Sequence, residues 1–473
     1  MSARTGLRAL AERGPIHFMG VGGAGMAPLA EMVLRSGATV TGCDLADGQA
    51  AEALARMGMA YTRGHDPAHV EGVAAVVVTS AVPPDHEELA AARATGIPVI
   101  KRAEALGQWV NDGRVAGIAG THGKTTTTAM ATHILEEGGL DPTGVVGGTV
   151  PAWGGNLRAG ESRVFVVEAD EYDRSFLSLK PEVAVVNNLE ADHLDIYRDL
   201  DGVRASFASF VDRLLPEGTL WVCGDDPGAA RIGVQGGSRT RSYGLAAGSR
   251  LRAVEVHANG RGSTFTVVED GVFAGRFTVA APGVHNVRNA LAAAGVARSF
   301  GAGWDAVRAG LAAFRGVGRR YDVLGTAAGV QVVDDYAHHP TEVAATLAAA
   351  RAANPGRRVV AVFQPHLFTR TRDFYREFGR ALAAADRIWV TDVYPAREEP
   401  LAGVTGKLVA SAVAGPGSNV SYHPALATLA EAVSADLYEG DLCVLMGAGS
   451  IESTGPEVLA LLRRRFDRKG ESA

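Results

Sequence analysis

The chain has little cysteine: three residues in 473, Cys43, Cys223 and Cys443, odd in number and far apart. That suits a reducing compartment better than a disulfide framework, and the cysteines are expected to form no metal cluster. It also lacks any uninterrupted apolar run of about 18 residues, and residues 1–15 carry arginines where a signal peptide would need an apolar stretch. The expectation is a cytoplasmic protein without membrane insertion. Neither sign of charge dominates: 46 Lys+Arg against 52 Asp+Glu gives a net charge of −6, and no polybasic run occurs, which disfavours a nucleic-acid partner. The 59 glycines show no Gly-X-Y period, so a collagen-like fibre is excluded. What is present, 47% hydrophobic and 21% charged residues, describes a globular chain, and its length at about 150 residues per domain predicts about three domains.

The N-terminal third opens with an apolar strand that enters a glycine turn, Gly20, Gly22 and Gly25 matching G-x-G-x-x-G, and then a helix through Leu34. Without Cβ atoms, backbone amides can approach a phosphate at the helix start. The next strand, Thr39 to Cys43, ends at Asp44, placed to accept from a sugar or base. A dinucleotide, another nucleotide diphosphate, or a turn serving close packing alone all remain open at this point. Val73–Ser80 and Ile97–Ile100 read as further parallel strands, and the polar turn Asn111–Arg114 marks a boundary.

In the middle, the strand Val115–Ala119 feeds Gly120-Thr-His-Gly-Lys-Thr-Thr126, followed by a helical stretch Thr127 to Glu137. Strand, glycine loop with Lys-Thr, and helix is the arrangement that wraps backbone N–H groups round a nucleoside triphosphate; Lys124 would reach the outer phosphates and Thr125 would offer its hydroxyl to Mg²⁺. The loop is shorter than G-x-x-x-x-G-K-T, with Ile118 where that pattern has its first glycine. Val164–Glu168 is a strand ending in an acid placed to hold a metal, and Val183–Asn188 delivers Glu190, Asp192, His193 and Asp195 into a loop. Asp195 is equally readable as a cap for the following helix. Residues 251–280 alternate like antiparallel strands, and His285, Asn286 and Asn289 stand at the start of an alanine-rich helix, where they face a base or, for Asn286, simply cap it.

The last third carries Arg319 and Arg320 for anions, then the strand Val330–Val333 and the segment Asp334-Asp-Tyr-Ala-His-His-Pro-Thr-Glu342, whose structural alternative is a solvated loop with a helix cap at Thr341. Strands at 358–363, 387–391 and 442–446 deliver polar or glycine-rich loops, the end at which open α/β sheets bind ligands. From residues alone the reading reaches an ATP-dependent transferase or ligase.

Taken in order, His17–Met26, Gly120–Thr128, Glu168-Ala-Asp-Glu171, Asn188–Asp195, His285–Asn289, Asp334–Glu342 and Phe363-Gln-Pro-His366 closely resemble the Mur ligases of bacterial peptidoglycan synthesis. The resemblance spans nearly the whole chain and implies an α/β protein of three domains: a Rossmann-like UDP-substrate domain (1–112), a P-loop-type ATPase domain (113–319), and a Rossmann-like domain contacting amino acid and nucleotide (320–473) that closes over the site. It implies ATP and Mg²⁺, an acyl phosphate made on the carboxylate of UDP-N-acetylmuramate, and attack on it by an amine. Catalytic roles fall by resemblance on Lys124, His193, His338 and Arg370. Nucleotide contacts fall on Gly120, Thr121, His122, Gly123, Lys124, Thr125, Thr126, His285, Asn289, Arg320 and Asp335. The metal falls to Thr125, Glu168 and His193. Substrate contacts fall on Gly22, Gly23, Ala24, Gly25, Met26, Asp44, Ser80, Tyr336, His338 and Arg370. His193 or His338 would take the proton of the incoming amine.

Relatives that add later amino acids carry a carbamylated lysine on the helix after the Asp-His-Leu-Asp loop, and residues 196–213 contain none, which favours the branch that adds L-alanine. A recycling ligase that attaches an intact peptide, a nicotinamide-linked oxidoreductase and a non-catalytic nucleotide-binding regulator are the rival readings. A monomer or weak homodimer is expected.

Overall fold

The computed structural model describes residues 6–259, 262–396, 398–413 and 419–470; the side chains of residues 194, 195, 259 and 466–470 are outside that description. The chain divides into two compact units: Met1–Arg252 with Val267–Gly275 and Arg288–Leu311, and Ala253–Thr266 with Arg276–Val287 and Ala312–Ala473. No helix among the described residues is long and apolar enough to cross a membrane.

The first unit begins with a five-stranded parallel sheet, β1 (Ile16–Met19), β2 (Val40–Asp44), β3 (Ala60–Arg63), β4 (Ala75–Val78) and β5 (Val99–Lys101), in the order β3-β2-β1-β4-β5. The order reverses between β1 and β4, and in open α/β sheets the ligand crevice lies at the strand ends beside such a reversal. The glycine turn follows β1 and Ser80 follows β4, so both stand at that crevice.

A ten-stranded sheet follows: β6 (Arg114–Ala119), β7 (Thr143–Val150), β8 (Gly155–Arg158), β9 (Val164–Glu168), β10 (Val183–Val186), β11 (Thr219–Cys223), β12 (Thr240–Gly244), β13 (Leu251–Asn259), β14 (Gly262–Glu269) and β15 (Val272–Val279), ordered β15-β14-β13-β12-β11-β10-β6-β9-β7-β8. β6 is flanked by β9 and β10, with Ile118 opposite Glu168 and Ala119 opposite Val186. The loops after these three strands therefore share one end of the sheet.

In the second unit, β16 (Asp322–Ala327), β17 (Val330–Asp335), β18 (Val359–Phe363), β19 (Arg387–Val390), β20 (Val420–Tyr422) and β21 (Leu442–Met446) form a sheet ordered β16-β17-β21-β18-β19-β20, parallel except for the antiparallel edge β16. Alternation along the strands explains its two covered faces. Val359, Ala361 and Phe363 pack with Leu442, Val444 and Met446 on one side. Val360, Val362, Cys443 and Leu445 pack on the other. With a period of two and both faces buried, such strands read as continuous apolar runs, which is why they are visible in the sequence.

The strands β3, β7, β8, β12, β16 and β20 were not expected; most are short, exposed or polar, and β7, eight residues long and buried over Thr143–Val146, is broken by three glycines. The helix expected over 196–213 is broken into Leu194–Tyr197 and Leu200–Val211, with Arg198 in the left-handed region at φ 66°. Asp199, whose side chain accepts from Gly202 N, caps the second helix; the Asp195 side chain lies outside the described residues.

Candidate functional site

At the first crevice, Gly20 adopts φ +74° and donates from its amide to Cys43 O at 2.9 Å, while Gly23 N bonds back to Gly20 O. The helix Ala27–Arg35 then starts directly after Met26. Asp44 is tied to the turn: its Oδ2 accepts from Gly22 N at 2.9 Å and its Oδ1 from Leu45 N at 2.8 Å. In this state the carboxylate holds the turn, occupying one of the amides expected to face a phosphate. Gly25 is closely approached by Arg102, since a Cβ there would meet its Nη1 at 2.9 Å. Arg102 belongs to a cleft of about 290 Å³ lined by Ser80, Lys101, Arg102, Asp173, Arg174 and Ser175 among others, where three cations stand near an exposed Ser80. Sequence reasoning missed Arg102 and Arg174. Neither belongs to a spaced motif, and the segment after β9 brings Arg174 in through a left-handed turn at Asp173 and Arg174.

The central glycine loop runs from strand to helix as the sequence predicts. Gly120 (φ +141°) and Gly123 (φ +80°) take conformations that L side chains rarely adopt, and a Cβ on Gly123 would stand 2.5 Å from Asn289 Oδ1. The helix Lys124–Glu137 follows, longer at its start than the expected Thr127 to Glu137, so Lys124, Thr125 and Thr126 form its first turn, where the dipole favours an anion. The loop is clamped by β10's continuation. Thr121 N donates to Asn188 O at 3.2 Å and His122 N to Asn188 Oδ1 at 2.7 Å. Glu190 N donates to Thr121 Oγ1 at 3.0 Å, and His122 Nε2 lies 3.6 Å from Glu190 Oε2. Asn187, bonded to Tyr243 OH at 2.7 Å, also donates to Thr127 Oγ1. Asn187 and Asn188 went unassigned in the sequence because an asparagine pair at a strand end reads as an ordinary turn.

Thr125 Oγ1 donates to Glu168 Oε1 at 3.0 Å, and Glu168 Oε2 accepts from Gly147 N at 2.7 Å. Lys124 is partly buried against Glu171, with Nζ at 2.9 and 2.8 Å from its two carboxylate oxygens and at 2.8 Å from Gly120 O. Burial opposes the ammonium charge, but Glu171, Asp170 and Glu168 more than offset it, so the Lys124 pKa is raised and the group stays charged. His193 shares Glu171, its Nε2 4.0 Å from Glu171 Oε1 and 3.9 Å from Asp192 Oδ2, with its ring edge-on to Tyr172. Its backbone is left-handed at φ 51°, a conformation costing of order 1 kcal/mol and common at functional loops. Lys124, Thr125, Glu168 and His193 are thus brought together by the structure, with Glu171 as a partner whose role the sequence left unassigned.

In the second unit, Asp335 is buried at the end of β17 and accepts from Tyr321 N and Ala337 N, both at 2.8 Å. Burial pushes its pKa up to about 6 although Arg320 and the two amides pull it down. Arg320 bonds Glu342 at 3.2 Å and lies over the Tyr336 ring. Arg319 is tied to Asp334 at 3.0 Å and to Gly447 O at 2.7 Å. His338 Nδ1 is 2.9 Å from Tyr336 O, its ring meets His366 edge-on at 5.7 Å, and His366 Nδ1 lies 3.3 Å from Nη1 of the buried Arg370. Tyr336, His338 and Arg370 therefore form one chain through His366. The cap of the helix Pro340–Ala353 is His339 in a capping box with Glu342, not Thr341, because Pro340 occupies the first helical position. Asn286 is likewise not a cap; it stands inside the helix Val284–Ser299 and donates to Pro282 O. His285 is half-buried in the second unit and Asn289 buried in the first.

Comparison with known proteins agrees with this arrangement. Residues 15–114 match the Mur ligase family catalytic domain, 118–297 the Mur ligase middle domain, and 319–449 the Mur ligase glutamate ligase domain. The chain is similar to the UDP-N-acetylmuramate–L-alanine ligase of Acidothermus cellulolyticus, 45% identical over 96% of each chain, and to that of an Arthrobacter species, 43% identical over 98% of each. Among solved structures, the UDP-N-acetylmuramate-alanine ligase of Thermotoga maritima superposes with a TM-score of 0.79 at 26% identity, covering 97% of this chain and 100% of that one. A murein peptide ligase of Psychrobacter arcticus follows the fold with a TM-score of 0.67 at 25% identity, covering 95% and 98%. With three family domains in sequence order and similarity along almost its full length, the chain belongs to the Mur ligase family.

Proposed function

We propose that this chain joins L-alanine to UDP-N-acetylmuramate at the expense of ATP, yielding the amide, ADP and phosphate for peptidoglycan precursor synthesis. The observation that carries the reading is the 45% identity to alanine ligases over 96% of both chains. The same reading divides the chain at 112/113 and 319/320.

A carboxylate oxygen of the sugar nucleotide attacks the γ-phosphorus of ATP and ADP departs; the alanine amine then attacks the acyl carbon, phosphate departs, and the ammonium proton is lost. Lys124 exchanges Glu171 for the transferring phosphoryl group, since a triphosphate at the helix start offers more negative charge than one carboxylate. Thr125 and Glu168 supply a hydroxyl and a carboxylate 3.0 Å apart beside the phosphate helix, hard oxygen donors that suit Mg²⁺, with His193 toward a second position. The bound ion would neutralise charge that otherwise keeps the two anionic substrates apart. Lys101, Arg102 and Arg174 attract the anionic sugar nucleotide to the cleft beside Gly25, and Asp335 and Arg320 serve the nucleotide. His193 or His338 accepts the amine proton, and Arg370, through His366, orients His338.

The test is phosphate release with ATP, Mg²⁺ and UDP-N-acetylmuramate in the presence of L-alanine, L-serine, glycine or tripeptide, with the product mass determined. Alanine-dependent release with the matching amide mass is expected. Product with tripeptide alone would make this a recycling ligase, and no product with any amine would overturn the ligase reading.

A further inference from the structure

The three cysteines do not meet, as their spacing predicts, but one of them enters a cluster that spacing does not show. His17 on β1 and Cys43 on β2 point to the same face of the first sheet, where the helix Glu87–Ala94 presents Glu88 and the turn Pro67–Val70 presents His69. His17 Nε2 lies 2.8 Å and His69 Nδ1 3.2 Å from Glu88 Oε1. Cys43 Sγ lies 3.4 Å from His17 Nε2 and 3.5 Å from Glu88 Oε1. One donor atom from each of the four falls within 4.8 Å of all the others. A fifth donor, His65 Nδ1, stands 3.1 Å from Sγ and 3.0 Å from Glu88 Oε2.

We propose that His17, Cys43, His69 and Glu88, with His65 at the open side, form a structural site for one divalent transition-metal ion, zinc by preference, that braces the glycine turn. Zinc bond lengths of about 2.0–2.3 Å give tetrahedral edges of roughly 3.3–3.7 Å, and the donors, 2.8 to 3.5 Å apart in the four bonded pairs and within 4.8 Å in all, lie around that spacing. Imidazole, thiolate and carboxylate together match zinc and exclude magnesium and calcium, which take oxygen alone. Charge agrees: the Glu88 carboxylate is fully buried, and a dication with one thiolate and one carboxylate leaves no net charge in the interior. His17 Nδ1 is 2.8 Å from Thr41 Oγ1, a contact that fixes the ring and leaves Nε2 for the ion, as in known metal sites. His65 and His69 are the partly exposed members, 13% and 17%, and give the ion a way in. The carbonyl of Cys43 accepts from the amides of Gly20 and Val21, so fixing this residue fixes the turn.

The experiment is elemental analysis of the purified full chain after dialysis, followed by exchange with cobalt(II). The expected result is a single equivalent of zinc, and with cobalt an intense visible spectrum of tetrahedral type plus a thiolate charge-transfer band. Cys43→Ser should abolish that band, and His69→Gln, on a partly exposed turn where the fold is least at risk, should lower metal retention at least tenfold with an unchanged circular dichroism spectrum. A folded wild-type chain that retains no zinc and gives no such cobalt spectrum would overturn the proposal, leaving a hydrogen-bonded His–Glu network. A charge-transfer band unchanged in Cys43→Ser would overturn it as well. None of these readouts depends on the ligase reading.

Discussion

Lys124 and Glu171 show how a single side chain is kept ready. An ammonium buried without a partner would lose its proton, and Glu171 prevents this while leaving a contact that a phosphate can replace. Beside it, Glu168→Gln removes the charge of the Thr125–Glu168 pair and keeps its size. The Mg²⁺ concentration for half-maximal rate should rise on the order of tenfold or more, about 1.4 kcal/mol or above, read from rates across a magnesium titration. Asp335 carries a pH signature. Its folded pKa of about 6 exceeds the unfolded value of 3.8, so the folded chain binds the extra proton and stability falls as pH rises between about 4 and 6. The difference in unfolding free energy between wild type and Asp335→Asn should therefore decline by up to about 3 kcal/mol from pH 4 to pH 7. A flat difference in denaturation series would contradict the assignment. Any loss from the altered hydrogen bonds to Tyr321 and Ala337 is constant with pH and does not affect the slope.

At the scale of elements, each candidate site is a strand that stops and a loop that turns sharply. Gly123 ends the central glycine loop at φ +80°, with Asn289 Oδ1 2.5 Å from where a Cβ would stand. Gly123→Ala adds both a left-handed strain of about 1 kcal/mol and a clash with a buried asparagine. The expected outcome is an ATP KM raised at least tenfold, with a melting temperature lowered by a few degrees, checked by kinetics and calorimetry. These elements were readable from sequence where the pattern was local. The strands β6, β10, β18 and β21 are apolar runs, and Gly120–Thr126 is a contiguous turn-and-helix signal. Capping was less readable: Pro340 moves the cap to His339, and the break at Arg198 makes Asp199 a cap, choices made by one backbone angle each.

For the whole molecule, assembly within the first unit decides what stands beside the glycine turn, where we propose that the sugar nucleotide binds. Arg102 follows β5, Arg174 follows β9, and Asn156 donates to Ala24 O, so parts distant in sequence gather beside one glycine turn. Arg102→Ala should raise the KM for UDP-N-acetylmuramate by about tenfold, the worth of one charge-assisted contact, while the KM for ATP stays within about twofold. Equal changes in both constants would show a general loss of structure instead.

What the sequence determined by itself was the α/β class, the strand, glycine loop and helix that carry Lys124 and Thr125, the acid at Glu168 and the polar segment from Asp334 to Glu342, because each is written in consecutive residues with a fixed period or spacing. Tertiary structure alone decided that Lys124 rests on Glu171, that Asp44 grips Gly22, that Arg102 stands against Gly25, and that Cys43 joins His17, His69 and Glu88. Those partners lie on different strands and helices, and only the order in which a sheet assembles its strands brings them within bonding distance.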